Sequence, residues 1–228
     1  MNEFFSEAFG NGMLAQYGEG LLTTLYLVAL CALLSYAIGI PVGVILCVTD
    51  GDGIRPRRTV NRLLGFVVNV LRSVPFMILL VVALPLTKAL LGTKVGNTAF
   101  LVPLTLSAAP FVARMVESSL KEVDRGVIEA AQAMGSNDRQ IILKVLLPEA
   151  KPSLLVGAAI AVTTILGYTP LATLVGGGGL GAIAVQYGLY RFRPAIMYVA
   201  SIVLIVLVQV LQSVGMKLAK KTDKRIRI

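Results

Sequence analysis

Two long stretches without a charged residue constrain this chain more than any other feature. Residues 20–49 and 152–190 contain no Asp, Glu, Lys or Arg. A helix of about 20 apolar residues crosses the ~30 Å hydrocarbon core of a bilayer. Charged residues make up only 14% of the chain, whereas a soluble domain has about a quarter. The sequence therefore predicts an integral membrane protein, because a water-soluble fold would have to bury helices of this length completely.

The apolar segments predict an all-α fold with five transmembrane helices. We expect a single membrane domain over 20–216, preceded by an extracytoplasmic segment at 1–19 and followed by a basic cytoplasmic tail at 217–228. No loop between the segments is long enough to hold a soluble domain. The five spans are predicted at 20–48, 63–91, 98–119, 153–175 and 195–216.

The basic residues are distributed unequally between the two ends of these spans. Sixteen of the 21 Lys and Arg residues fall in the loop 50–62, in the stretch 114–151 or in the tail; four fall at the opposite ends, and Arg72 lies within the second span. Basic residues mark the cytoplasmic side of membrane helices. This predicts an outside N-terminus and an inside C-terminus. It also accounts for the net charge of +9 without a nucleic-acid partner.

The segment EAAQAMGSNDRQIILKVLLPEA, at 129–150, is amphipathic in an otherwise apolar chain. Asp124 is a candidate N-cap, and Gly135 suits the left-handed residue after a helix C-terminus. We expect a second helix from Ser136, as its cap, to Pro148. One face of the first helix is predicted to be small and apolar. Its members are Val127, Ala130, Ala131 and Met134.

This helix–turn–helix bracket has two possible roles. It could rest on lipid headgroups, or it could dock in another protein. The pattern E-A-A-x-x-x-G-x9-V-x-L-P, from Glu129 to Pro148, resembles the EAA loop of ABC importer permeases, with Val145 where that family usually has Ile. Further segments resemble the methionine-importer branch of these permeases, and together they cover most of 15–215. They are RSVPFMILL (72–80), PLTLSAAPFVARMVE (103–117), KVLLPEA (144–150) and GGGGLGAIAVQYG (176–188).

The resemblance implies a function for the chain. It implies a permease subunit of an ATP-driven importer in the bacterial inner membrane, forming the pathway for methionine, including D-methionine and derivatives, by alternating access. Another amino acid or small apolar substrate is the alternative. The loop at 121–150 would be the coupling helix that inserts in a groove of the ATPase. The coupling residues would be Glu129, Ala130, Ala131, Gly135 and Pro148.

The resemblance also implies partners. These are a second copy of the chain, two cytoplasmic ATPase subunits, an extracytoplasmic substrate-binding lipoprotein and membrane lipid. We expect no enzymatic activity, no metal site and no cofactor on this chain, with ATP and Mg²⁺ bound by the partner ATPase.

A glycine run, GGGGLG at 176–181, invites comparison with a phosphate-binding loop. That motif requires a following Lys between a strand and a helix, and neither is predicted here. The run is therefore either a flexible hairpin or backbone that lines the outer mouth of the pathway. The candidate lining residues are Gly176, Gly177, Gly178 and Gly179.

Two further features are candidates for the pathway. Tyr168, Thr169 and Pro170 interrupt the apolar fourth span, which predicts either packing by small residues or a pathway wall. Arg72 lies on a polar helix face. The other residues of this face are Arg58, Arg62, Gly65 and Asn69. It is predicted to extend its charge to the membrane surface, to line a cytoplasmic vestibule or to contact substrate. A charge within a span is a functional hypothesis by default.

Two other classes of function are possible on physical grounds. An ion-coupled secondary transporter usually buries carboxylates near the membrane midplane. All twelve acidic residues here fall in loops or at the ends of spans, Glu117 being closest to an exception. The other possibility is a membrane assembly factor with no transport role.

Overall fold

The computed structural model describes residues 2–10 and 12–223, apart from the side chains of Asn2 and Glu3. Every regular element in that part of the chain is helical, which confirms the predicted all-α fold. The last five residues of the predicted basic tail lie outside the described residues. The α-helices are α1 (Asn2–Phe9), α2 (Met13–Thr49), α3 (Arg58–Ser73), α4 (Phe76–Val82), α5 (Leu84–Leu91), α6 (Asn97–Lys121), α7 (Arg125–Ala133), α8 (Asp138–Ile141), α9 (Leu147–Glu149), α10 (Lys151–Tyr168), α11 (Leu180–Val185) and α12 (Pro194–Thr222).

Four helical segments are each long and apolar enough to cross a membrane. They correspond to the first, third, fourth and fifth predicted spans. The first begins seven residues earlier than predicted, so the segment 1–19 contains α1 and the start of α2. The fourth includes a 3₁₀ segment that continues α10. The four are Met13–Thr49, Asn97–Lys121, Lys151–Val175 and Pro194–Thr222.

The second predicted span is divided into separate helices, with a break at Pro75. Helix α3 ends at Ser73 and α4 begins at Phe76, so the chain is bent at the break between them. Pro75 has φ −55° and ψ 135°, an extended conformation. A proline lacks the amide hydrogen that a continuing helix needs, and it disfavours α-helical geometry in the residue before it. Residues 58–82 count as a span only if the two helices are taken together.

The number of spans depends on the α3–α4 pair. The chain has four spans by the long helices alone, and five if this bent pair is one span. The start of α2 also contacts the segment after α11, because the Tyr187 hydroxyl donates to Oε1 of Gln16 at 2.9 Å.

The chain divides into two compact units, each with its own core. The first contains residues 1–33, 74–107 and 162–211. Its core includes a cluster from α2, α11 and α12. The members of that cluster are Met13, Tyr17, Leu180, Ile196 and Ala200.

The second unit contains residues 34–73, 108–161 and 212–228. Two glycines on α2 let that helix pack closely against α6. A Cβ atom added at Gly39 would lie 2.6 Å from Cγ1 of Val112, and one at Gly43 would lie 2.6 Å from the carbonyl oxygen of Ala113. Small residues permit this close approach of backbones between membrane helices. The packing fixes the end of α6, from which α7 and α8 follow.

Candidate functional site

The first arm of the bracket, α7, has a well-defined beginning and end. The Asp124 carboxylate accepts a hydrogen bond from the amide of Gly126 at 2.6 Å, which confirms the predicted N-cap. At the other end Gly135 has φ +78°, as predicted for a left-handed residue after a helix. Its amide donates to Gln132 at 2.9 Å, and the amide of Ser136 donates to Ala131 at 3.1 Å. This pair of bonds is the Schellman motif, which satisfies carbonyl groups at the end of a helix.

The second arm begins one residue later than predicted. Ser136 was expected to cap it, but the cap is Asn137. The Asn137 side chain accepts from the amide of Gln140 at 2.9 Å, and the Gln140 side chain accepts from the amide of Asn137 at 2.9 Å. This reciprocal pair is a capping box, with Gln in the usual third position. Ser136 was the wrong choice because it takes part in the preceding Schellman motif.

Pro148 was expected to end the second arm, and this prediction was also wrong. The helical path continues from α8 through a π-helical segment, Ile142–Leu146, into α9, and Pro148 lies inside α9. A proline in a regular α-helix clashes with the carbonyl group four residues before it. In the π segment the amide of Leu147 bonds to the carbonyl of Ile142, five residues earlier. This wider turn accommodates Pro148, so the helical path continues to Ala150, and α10 begins at the next residue.

The four residues predicted to share one apolar face of α7 are divided between two environments. Ala131 is 3% exposed and packs in the core of the second unit with Ile141. By contrast, Val127 is 43% exposed and Met134 is 79% exposed, and Ala130 is exposed beside them. Helix α7 therefore uses an inner face to pack on its own unit and leaves an outer apolar face uncovered.

Glu129 also lies on the exposed part of α7. No residue in the described part of the chain forms an ion pair with its carboxylate. A cavity of about 310 Å³ separates α7 from the loop at 50–57. Polar groups along its wall include Asp50, Asp52, Arg125, Glu129 and Gln132.

The loop between α2 and α3 is joined to both arms of the bracket by ion pairs. Asp52 lies 2.9 Å from Arg125 at the start of α7. Arg55 lies 2.5 Å from Asp138 at the start of α8. Exposed pairs of this kind each contribute little to stability. Together they join this loop to the first residue of each arm.

A third set of charges connects the loop to α6. Nζ of Lys121 lies 2.6 Å from Asp50 and 2.8 Å from Glu117. Glu117 is also 2.6 Å from Arg114, and its side chain is 8% exposed. The hydrogen bond from Lys121 to Asp50 is the main reason why the pKa of the Asp50 carboxyl lies below its ordinary value. The buried carboxylate of Glu117 therefore has two cationic partners, as a buried charge requires.

The polar face of α3 faces the same cluster. Nη2 of Arg114 donates to Oδ1 of Asn69 at 2.8 Å and to the carbonyl of Gly65 at 3.2 Å. Arg72 lies one turn further along α3 and is exposed. The predicted polar face therefore exists, and part of it is used to anchor Arg114.

The glycine run of the first unit is held by hydrogen bonds from neighbouring segments. The Gly178 amide donates to Oδ1 of Asn97 at 2.7 Å, and the Leu180 amide donates to Oγ1 of Thr24 at 2.9 Å. Gly176 and Gly179 have φ of +65° and +112°, which favour glycine. Gly176 is exposed and Gly178 is half-buried, whereas Gly177 and Gly179 are buried.

The interruption of the fourth span is a change of helix type. Helix α10 ends at Tyr168 and continues as the 3₁₀ segment Thr169–Val175. The Tyr168 ring stacks on Phe76, with centroids 4.5 Å apart. Thr169 is fully buried, and its hydroxyl donates to the carbonyl of Leu166 at 2.8 Å. Pro170 packs against α11, because a Cβ atom at Gly181 would lie 2.6 Å from its ring.

Sequence reasoning did not find several of the residues that position these segments. They are Asp50, Asp52 and Arg55 in the loop after α2, Thr24 in α2 and Asn97 at the start of α6. The one available signal was the order of charges in the loop, acid–acid–base. It complements the order base–base–acid of Lys121, Arg125 and Asp138.

Comparison with known proteins identifies the class. Residues 39–228 match the family described as the inner membrane component of binding-protein-dependent transport systems. The chain is similar to a probable D-methionine transport system permease of Vibrio cholerae, with 50% identity over 202 residues, covering 89% of this chain and 90% of that one. It is also similar to the methionine import system permease of Bacillus subtilis, with 39% identity over 181 residues, covering 79% and 82% of the two chains.

A solved structure gives the same result for the fold. The chain superposes on a chain from the inward-facing MetNI methionine ABC transporter with a TM-score of 0.92 and 39% sequence identity. The alignment covers 95% of this chain and 100% of that one. The matched family includes the stretch 121–150 and all spans after the first part of α2. The chain thus belongs to the family of inner membrane components of binding-protein-dependent transport systems, as a multi-pass membrane permease.

Proposed function

We propose that this chain is the permease subunit of an ATP-driven importer of methionine, including D-methionine. The substrate is suggested by the names of the similar permeases, one of which is 50% identical over 89% of the chain. A permease for another amino acid or small apolar substrate is the alternative. The chain would work as a homodimer with two ATPase subunits, and ATP with Mg²⁺ would bind to those subunits.

The observation that carries the coupling role is the division of α7 into two faces. Its inner face is fixed by Ala131, in the core of the second unit, and its first residue, Arg125, pairs with Asp52. Its outer face presents Val127, Ala130 and Met134 together with the carboxylate of Glu129. A rigid helix with an uncovered apolar face and one unpaired charge is suited to dock in a groove of another protein.

The candidate coupling residues have different parts in this proposal. Glu129 and Ala130 would contact the ATPase directly. Ala131 would support the helix from behind. Gly135 would set the angle between the two arms, and Pro148, with the preceding π segment, would join the second arm to α10.

Sidedness follows from the distribution of basic residues. The proposal places the bracket and the C-terminus in the cytoplasm and the N-terminus outside. An extracytoplasmic binding lipoprotein would then deliver substrate on the side of the glycine run.

The pathway residues also stay within the proposal. The exposed Gly176 and the half-buried Gly178, Tyr168 and Pro170 are candidates for the outer part of the pathway. The buried Thr169, Gly177 and Gly179 would support that backbone. Arg72 would line the cytoplasmic vestibule.

Reconstitution tests this function. The permease is purified with its ATPase and incorporated into vesicles, and ATP-dependent uptake of labelled D- and L-methionine is measured with the binding protein present. Competition by unlabelled leucine and norleucine separates methionine from the alternative substrates. ATP-driven uptake of another amino acid but not methionine would contradict the proposed substrate. Uptake driven by an ion gradient without ATP would contradict the proposed class.

A further inference from the structure

We infer that α1 is an interfacial helix whose aromatic side lies in the lipid headgroup region at the end of the first span. Phe4, Phe5 and Phe9 are 41%, 55% and 41% exposed. Their rings contact one another, with centroid distances of 6.0 Å between Phe4 and Phe5 and 6.2 Å between Phe5 and Phe9. The rings form one uncovered aromatic surface. Neither the family nor the proposed substrate assigns a partner to it.

The position of α1 is fixed by its contact with α2. Ala8 is fully buried, and its carbonyl accepts a hydrogen bond from the Tyr17 hydroxyl at 3.1 Å. Tyr17 lies in the core cluster of the first unit, near the start of α2. A helix of eight residues is too short to be stable in water by itself, since isolated helices need about 12–15 residues. Helix α1 therefore depends on the surfaces that cover it.

The two sides of α1 differ in polarity. The three phenylalanines lie around the buried Ala8 on one side of the helix by their spacing. The other side carries Ser6, which is exposed, and Glu7, which is half-buried. A short amphipathic helix of this type lies in the plane of the membrane surface, with its apolar side buried among headgroups and acyl chains. Ser6 would then face water.

A second group of aromatic residues lies at the same end of the first unit. The segment after α11 exposes Tyr190 by 59% and Phe192 by 83%. It is joined to the start of α2 by the hydrogen bond between Tyr187 and Gln16. The guanidinium carbon of Arg191 lies 4.6 Å from the centre of the Tyr187 ring. Aromatic rings with neighbouring arginine are typical of the interface between membrane and water.

The observations favour lipid over a protein as the partner of α1. Helix α1 is separated from a membrane-spanning helix by three residues, and exposed leucines continue along that helix at Leu14 (65%) and Leu22 (69%). The aromatic side of α1 carries no charged group or hydrogen-bonding side chain that would select a soluble protein. The aromatic side of α1 therefore continues the lipid-facing surface of the first span, and we infer that lipid covers it as well.

The absence of tryptophan from the chain allows a direct test. The variant Phe5→Trp introduces a single fluorophore on the aromatic side of α1. The full chain is reconstituted in phosphatidylcholine vesicles whose acyl chains carry bromine either near the headgroup or near the chain end. The matched control is Ser6→Trp on the polar side, and Leu22→Trp marks the depth of the span.

We expect the fluorescence of Phe5→Trp to be blue-shifted and to lose most intensity with the shallow bromines. Ser6→Trp should emit like an exposed tryptophan and lose little intensity in either lipid. Phe9→Trp should behave like Phe5→Trp, and it provides the test if Phe5→Trp fails to incorporate. Equal quenching at positions 5 and 6 would overturn the inference. So would a water-exposed emission at position 5 that shifts only when the binding protein is added, which would indicate a protein partner.

Discussion

The ammonium group of Lys121 lies 2.6 Å from the carboxylate of Asp50, a contact that joins the end of α6 to the loop after α2. The same loop pairs with Arg125 on α7 and with Asp138 on α8. Three consecutive helices, α6, α7 and α8, are therefore attached to one short loop. We expect a force applied to α7 to be carried into α2 and α6 together, because these contacts join all three helices to the loop that follows α2.

The buried carboxylate of Glu117 should matter most to stability within this cluster. The change Glu117→Gln leaves Arg114 and Lys121 without their shared anion. Removing one partner of a buried ion pair costs about 3–5 kcal/mol, and we expect the lower end here because Lys121 is 42% exposed. Thermal unfolding of the purified permease in detergent measures the loss.

The control for this prediction is Asp52→Asn, in the exposed pair with Arg125. Its two side chains are 77% and 69% exposed, so the loss should be within about 1 kcal/mol. A loss for Glu117→Gln no larger than that of the control would show that the buried ion pairs stabilise the protein no more than the exposed pair does.

Asp50 should make the stability of the folded protein depend on pH in the acidic range. Its pKa is lowered in the folded protein, chiefly by the hydrogen bond from Lys121. A carboxyl group with a lowered pKa adds stability that is fully present above its unfolded pKa of about 3.9 and is lost as the pH falls through the folded pKa. The unfolding temperature of the wild type should exceed that of Asp50→Asn by a constant amount between about pH 5 and pH 7, and the difference should shrink below about pH 4. A difference that grows in acid would contradict this assignment.

Much of the fold could be predicted from the sequence, because a helix that crosses the hydrocarbon core needs a long apolar segment. Residues 20–49 have no charge and must be covered by lipid or protein, so the existence of the first span could be predicted. The second span was harder. Its composition is apolar throughout 74–86, and Pro75 indicates the break between α3 and α4. Whether a proline kinks a helix or divides it depends on what packs around it, and a single sequence does not contain that information.

The local geometry of the bracket was predictable only where one residue type has few options. Gly135 and Asp124 were correctly placed because left-handed backbone and N-caps each favour a small set of residues. Ser136 and Asn137 are both residue types that cap helices well. Ser136 takes part in the Schellman motif at the end of α7, so Asn137 caps α8. The burial of Ala131, but not of Ala130, depends on long-range packing against Ile141.

The backbone of Gly135 should be essential for coupling. A Cβ atom at this position meets no other atom within 4 Å, so the cost of Gly135→Val comes from its φ of +78° and not from a clash. A β-branched residue in this conformation should cost more than about 1 kcal/mol, and the angle between α7 and α8 should change. We expect normal insertion and ATPase activity with strongly reduced uptake in vesicles.

The matched variant is Gly135→Asn, because asparagine tolerates left-handed backbone better than other residues. It should retain most of the uptake. Equal uptake by the valine and asparagine variants would show that the turn conformation is not what transport requires.

Replacing Arg72 should reduce transport less than replacing Gly135 in the bracket does. It is exposed at the last turn of α3, while Asn69 on the same face is occupied by Arg114. Arg72→Ala removes a charge from a proposed vestibule and leaves the anchor of Arg114 intact. Uptake should fall by less than it does in Gly135→Val. Complete loss of uptake with an intact complex would instead indicate direct contact with substrate.

Glu129 provides the sharpest test of the docking surface. Its carboxylate is exposed on α7, at the edge of the cavity beside the loop, and it has no ion partner in the described part of the chain. If it meets a basic group of the ATPase, Glu129→Lys removes an attraction and adds a repulsion between like charges. Such mismatches cost several kcal/mol, and every ~1.4 kcal/mol weakens binding tenfold. The variant should reach the membrane, form the dimer and lose the ATPase during purification.

Two further variants separate docking from a general effect of charge. Glu122→Lys makes the same change at an exposed residue outside α7 and should retain the ATPase. An ATPase whose facing basic residue is changed to Glu should recover binding to Glu129→Lys but not to the wild type. Retention of the ATPase and normal uptake by Glu129→Lys would show that this carboxylate is a solvated surface group. In that case the apolar outer face of α7 would have to supply the docking energy without it, and Met134→Glu would become the variant that removes the ATPase.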